Sequence, residues 1–201
     1  MTDTTITRVH GRRVWDSRGR PTVEVEVHVA GGAVGRAIAP AGASRGSNEA
    51  VDLRDGGLAF GGMGVSNAVA HVNDEIARLL LGRNALRQAE IDDALIACDG
   101  TPDKSRLGGN AMIATSMAVL HAAAGAHRMP LYAYLAQGAR IRMPLPEIQI
   151  FGGGAHAGRR VDIQDFMVMA LGASSFSDAA AMTAEIYRAA GELMKEAGKL
   201  Q

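Results

Sequence analysis

The stretch TVEVEVHVAGGAVGRAIAP, residues 22–40, decides the first part of the fold. Val23, Val25, Val27 and Val29 alternate with Glu24, Glu26 and His28, which is the period of a strand buried on one face. Gly31 and Gly32 then turn the chain back, and AVGRAIAP carries a second, weaker alternation. Residues 22–39 therefore read as an antiparallel hairpin, with an earlier strand over Ile6 to Val14.

Downstream the period changes. From Val65 the apolar positions Val69, Val72, Ile76, Leu79 and Leu80 follow helical spacing, and Gly82 is placed to end that helix. A second helix is expected around residues 85–98. Asn110 to Arg128 is apolar almost all round and rich in Ala, so it reads as a buried helix with close neighbours. Pro130 opens a short LYAYLAQ helix. MPLPEIQIF and DFMVMAL read as short buried strands. Ser177 is the expected N-cap of a last helix that carries Met182, Ile186, Ala189, Leu193 and Met194 on one face.

Strands and helices are segregated over residues 1–138, which indicates an α+β domain. Residues 139–201 begin a new pattern. Two strands and one helix cannot cover their own apolar faces, so the chain is expected to stop partway through a second domain.

Composition narrows the function classes. Hydrophobic residues make up 47% and charged residues 21%, and 21 Lys+Arg balance 21 Asp+Glu, so no nucleic-acid surface is indicated. The single cysteine, Cys98, excludes an internal disulfide framework and fits a reducing compartment. MTDTTITRVHGRR is polar and then basic, unlike a secretory signal. The longest apolar run, residues 111–126, is shorter than a membrane span and contains His121. A cytoplasmic protein with no membrane partner is expected.

Three stretches could carry chemistry. GGGAHAGRRVDIQDF, residues 152–166, has the glycine spacing of a phosphate-binding loop, but Arg159 and Arg160 stand where Lys and Ser or Thr belong. His156, flanked by small residues, is placed either to reach a bound anion or to hydrogen-bond its own turn. Asp165 opens an apolar run and is either an acid, base or orienting group or a solvated strand end. AGASRGS, residues 41–47, is either flexible backbone or a lid whose hydroxyl, Ser44, closes over a charged substrate or its metal.

Five stretches, in order, resemble the enolase family. They are WDSRGRPTVEVEV (15–27), GRAIAPAGASRGSNEAVDLRDGG (35–57), KSRLGGNAMIATSMAV (104–119), PLYAYL (130–135) and GGGAHAGRRVDIQDFMVMALGASSF (152–176). The resemblance implies an α+β capping domain followed by the first strands and helix of an enolase-type (β/α)8 barrel, truncated at Gln201. It also implies reversible dehydration of 2-phosphoglycerate to phosphoenolpyruvate in glycolysis. There a lysine removes a carbon-bound proton and two Mg2+ ions stabilise the enolate. A homodimer or higher homo-oligomer is implied for the full-length form.

By the same resemblance, Ser44 matches the loop serine that binds the second magnesium. His156 matches a histidine that closes on substrate, Gln164 a substrate-site glutamine, and Asp165 the position of a substrate-site glutamate. Strand alternation would send Gln164 and Asp165 to opposite faces, so an irregular strand start is expected there. The chain departs from the family's usual pattern at Gly152 and Ala155, where asparagine and serine are usual, and at Ala41 and Arg45, where serine and threonine are. The metal carboxylates, the catalytic lysine and its acid partner lie beyond the matched region. A fragment with no catalytic residue of its own, inactive alone, is therefore the expectation. Two alternatives stand beside it: a divergent enzyme for another phosphorylated or phosphonate acid, and a non-catalytic dimerisation or binding module.

Overall fold

The computed structural model describes residues 3–42 and 46–199 of the chain. It divides into two compact units, residues 1–139 and 140–201.

The first unit is built on a three-stranded antiparallel sheet in the order β1 (Ile6–Trp15), β2 (Pro21–Val29), β3 (Val34–Ala39). The central strand sets the register. Val23, Val25 and Val27 lie opposite Arg13, Gly11 and Val9 on one side, and opposite Ala39, Ala37 and Gly35 on the other. The four valines of β2 are buried, as their alternation requires. Glu24, on the opposite face, is buried as well. Arg12 donates to both Glu24 and Glu26, and Arg36 Nε lies 3.5 Å from Glu24, so guanidinium groups satisfy the carboxylate that the central strand covers.

Helices cover the valine face. The expected helix after Val65 comes in three successive segments: α1 (Ser66–His71), a π-helical stretch (Val72–Ile76) and α2 (Ala77–Leu80). The π segment carries Asn73, whose carboxamide donates to the Gly11 carbonyl and accepts from the Gly11 amide, closing the open side of β1 there. Next come α3 (Gln88–Asp99), ended by left-handed Gly100, and α4 (Gly109–Ala126), then the short α5 (Leu131–Ala136).

Helix α4 lies directly on the sheet. A Cβ on Gly35 would stand 2.0 Å from the Ala118 carbonyl oxygen and 2.2 Å from the Ala122 amide nitrogen. Only a glycine in β3 and alanines in α4 permit this approach. The helix is not buried all round, since Ile113 and Met117 remain exposed.

The start of α4 is held by a buried carboxylate. Asp99 accepts from the Leu107 amide at 2.7 Å and the Thr101 amide at 2.9 Å, and also from the Thr101 hydroxyl. Burial works to raise this carboxyl, but the bonds from Leu107 and Thr101 outweigh it and hold it below its ordinary value of 3.8.

In the second unit, β4 (Glu147–Gly152) and β5 (Asp165–Met169) pair antiparallel, and α6 (Phe176–Glu196) follows. The strands are not the buried strands expected from sequence. Phe151, Phe166, Met167 and Met169 are exposed, and the only buried residues among those described in this unit are Gly153, Ala179 and Thr183. Among the described residues these few do not form a core comparable to that of the first unit. Met182, Ile186 and Leu193 of the α6 stripe are exposed too. The N-cap of α6 is Ser175 rather than Ser177: its hydroxyl accepts the Asp178 amide, and the Asp178 carboxylate accepts the Ser174 amide in return. Ser177 already lies inside the first turn.

Two outcomes test this account. Gly35→Ala should destabilise the first unit by roughly 3 kcal/mol, the upper end of overpacking costs, because the added methyl meets backbone rather than a movable side chain. Urea unfolding followed through Trp15, the single tryptophan, measures it. Asp99→Asn should cost about 1–3 kcal/mol at neutral pH. Because the folded-state value is depressed, the stability that Asp99 contributes is present above its unfolded value near 3.8 and is lost as pH falls through the folded one. The gap between wild type and variant should therefore close in acid.

Candidate functional site

The candidate site is built at one end of the β4–β5 pair. Gly152 lies opposite Asp165, Phe151 opposite Phe166, and Gln149 opposite Met167, so β4 spends one extra residue, Ile150, between Gln149 and Phe151. That bulge shifts the side-chain phase by one. Gln149 and Gly152, three residues apart, consequently both share a face with Asp165. One lies diagonally across the pair and the other directly opposite.

The segment between the strands is tied down by backbone. The Gly153 amide donates to the Gln164 carbonyl at 2.6 Å and the Gly154 amide to the Val161 carbonyl at 2.7 Å. A Cβ on Gly153 would stand 1.9 Å from the Ile163 carbonyl oxygen, so no other residue fits there without moving the chain that leads into Gln164. Gly154–Ala157 form a 3-10 turn that left-handed Gly158 ends, and Arg159 donates back to the Gly154 carbonyl at 2.8 Å. His156 sits in this turn, and its side chain lies outside the described residues.

Gln164 stands one residue before β5 and Asp165 begins it. Because Gln164 precedes the strand, strand alternation does not bind it, and its side chain meets that of its neighbour. Gln164 Nε2 donates to Asp165 Oδ2 at 3.2 Å, and Gln149 Nε2 donates to Asp165 Oδ1 at 2.5 Å. Each oxygen of a half-buried carboxylate thus accepts a carboxamide hydrogen. Such an arrangement fixes the plane of the carboxylate and leaves further lone pairs for a ligand. Sequence reasoning named Gln164 and Asp165 but missed Gln149. Its only signal was a polar side chain between Ile148 and Ile150.

Ser44 lies with Ala43 and Arg45 outside the described residues. Among the described residues no group of three or more His, Cys, Asp or Glu side chains converges. Nor is any helix among them long and apolar enough to cross a membrane.

The profile for the enolase N-terminal domain matches residues 6–135, and that for the enolase C-terminal TIM barrel domain matches residues 140–201. The chain belongs to the enolase family. Enolase 1 of Desulfitobacterium hafniense (strain Y51) is 50% identical over 194 residues, which is 96% of this chain but 44% of that protein. The chain thus spans less than half the length of the curated enolase it matches. The α+β unit is the enolase capping domain. Strands β4 and β5 with α6 are the start of the enolase TIM barrel, and two strands leave it unclosed.

Gly153→Ala tests the site's construction. It should shift the backbone amide resonances of Gln164 and Asp165 while those of the β1–β3 sheet stay in place. A heteronuclear NMR comparison of the two proteins reads this directly.

Proposed function

We propose that the chain supplies the capping domain and first barrel elements of an enolase-type carbon–oxygen lyase, and that the complete enzyme dehydrates 2-phosphoglycerate reversibly to phosphoenolpyruvate. The observation that carries this reading is the Asp165 carboxylate, gripped by two carboxamides where the enolase resemblance puts a substrate-site acid. An acid near the departing hydroxyl assists its loss, and such a group contributes about 100- to 10,000-fold when its geometry is fixed. Gln164 would orient the same substrate and His156 would close over it. Ser44 would serve the second magnesium, the metal that the resemblance implies. The lysine and the metal carboxylates would come from the rest of the barrel, and a homo-oligomer would be the full-length form.

One feature favours a second reading. Gly152, Ala155 and Asp165 all depart from the usual pattern within one short segment, and Gly152 and Asp165 lie directly opposite each other. A substrate with a differently placed leaving group, such as a phosphonate or another phosphorylated acid, would suit a pocket reshaped there.

Turnover separates the two. The full-length enzyme with saturating magnesium should form phosphoenolpyruvate from 2-phosphoglycerate, and Asp165→Asn should reduce kcat by at least about 100-fold with the fold unchanged. Inactivity toward 2-phosphoglycerate together with turnover of a phosphonate acid would establish the second reading instead.

A further inference from the structure

We infer that Gln149 is a positioning residue for Asp165, and that the glycine at 152 leaves its carboxamide room. This rests on the reading of Asp165 as the substrate-site acid. Three observations meet here. The bulge at Ile150 brings Gln149 onto the Asp165 face. Its carboxamide nitrogen lies 2.5 Å from Asp165 Oδ1, on the opposite oxygen from the one Gln164 holds. A Cβ on Gly152 would come 3.2 Å from that same nitrogen, tighter than an ordinary contact, so a side chain at 152 would press the Gln149 carboxamide away from its place.

The chemistry follows from side-chain length. Aspartate is one methylene shorter than the glutamate that the resemblance places at this position, so its carboxylate has fewer rotamers and a shorter reach. A carboxamide on each oxygen removes the remaining rotation about the last bond. The two departures at 152 and 165 are therefore one coupled change: a shortened acid, and a bare backbone over which Gln149 reaches to hold it. A misplacement of about 1 Å costs up to about 100-fold in rate, which is the scale on which losing Gln149 should act.

Two measurements test this. In the 15N-labelled chain, the Gln149 side-chain amide pair, identified by its disappearance in Gln149→Ala, should lie away from the positions of exposed glutamines. Asp165→Ala and, separately, Gly152→Asn should return it to them. A free-glutamine position in the wild type, unmoved by Asp165→Ala, overturns the assignment. In the full-length enzyme, Gln149→Ala should lower kcat for 2-phosphoglycerate by about 10- to 100-fold while KM changes far less. In an Asp165→Ala background the same substitution should cost nothing further. Equal losses in both backgrounds would show that Gln149 acts only through the fold, and would overturn the proposal. Absence of turnover by the wild type would defeat the proposed reaction, and the amide resonances would still decide whether Gln149 holds Asp165.

Discussion

The first unit depends on the contact between α4 and the sheet at Gly35. Backbone meets backbone there, with the Ala118 carbonyl and the Ala122 amide over the glycine. At that separation the helix can present only small side chains to the sheet, which is why alanine recurs at 111, 114, 118 and 122 on the buried side of α4. The volume the alanines leave is filled from the other partner by Val23, Val25 and Val27. Close packing of this kind is intolerant of added methylenes and fixes the helix in one place. The loop that Asp99 organises through Leu107 then has one position from which to enter α4.

The second unit is held together differently. Its order comes from the β4–β5 ladder, the Gly153 and Gly154 amides and the reciprocal cap of α6, all of them local hydrogen bonds. Exposed Phe166, Met167, Ile186 and Leu193 mark surfaces that in a closed TIM barrel would meet further strands and helices. The candidate site lies at one end of this ladder, where a bulge interrupts β4 and three successive glycines lead out of it. Irregular backbone is what brings Gln149, Gln164 and Asp165 to a single point.

Much of the fold was legible because period and propensity speak locally. The valine alternation of β2, the helical spacing from Val69 to Leu80 and the alanine-rich α4 each announce an element without reference to any other. Failures occurred where the deciding partner was distant or unformed. Burial of Glu24 needs Arg12 and Arg36 from both neighbouring strands, and no reading of β2 alone contains them. Burial of β4 and β5 was inferred from their apolar content, yet apolar side chains are buried only if something covers them. Ser177 looked like a cap by residue type, but a cap is defined by the hydroxyl that reaches an unpaired amide, and that hydroxyl is Ser175's.

The sequence by itself determined the elements, their order, the enolase resemblance, and Gln164 and Asp165 as neighbours worth attention. Each of those rests on residue types at fixed short spacings. Tertiary structure alone decided that Gln149 joins them. A one-residue bulge reverses which face every later side chain of a strand takes, so the membership of the site turns on the register between β4 and β5. Register is a property of two strands together, and a single strand does not encode it.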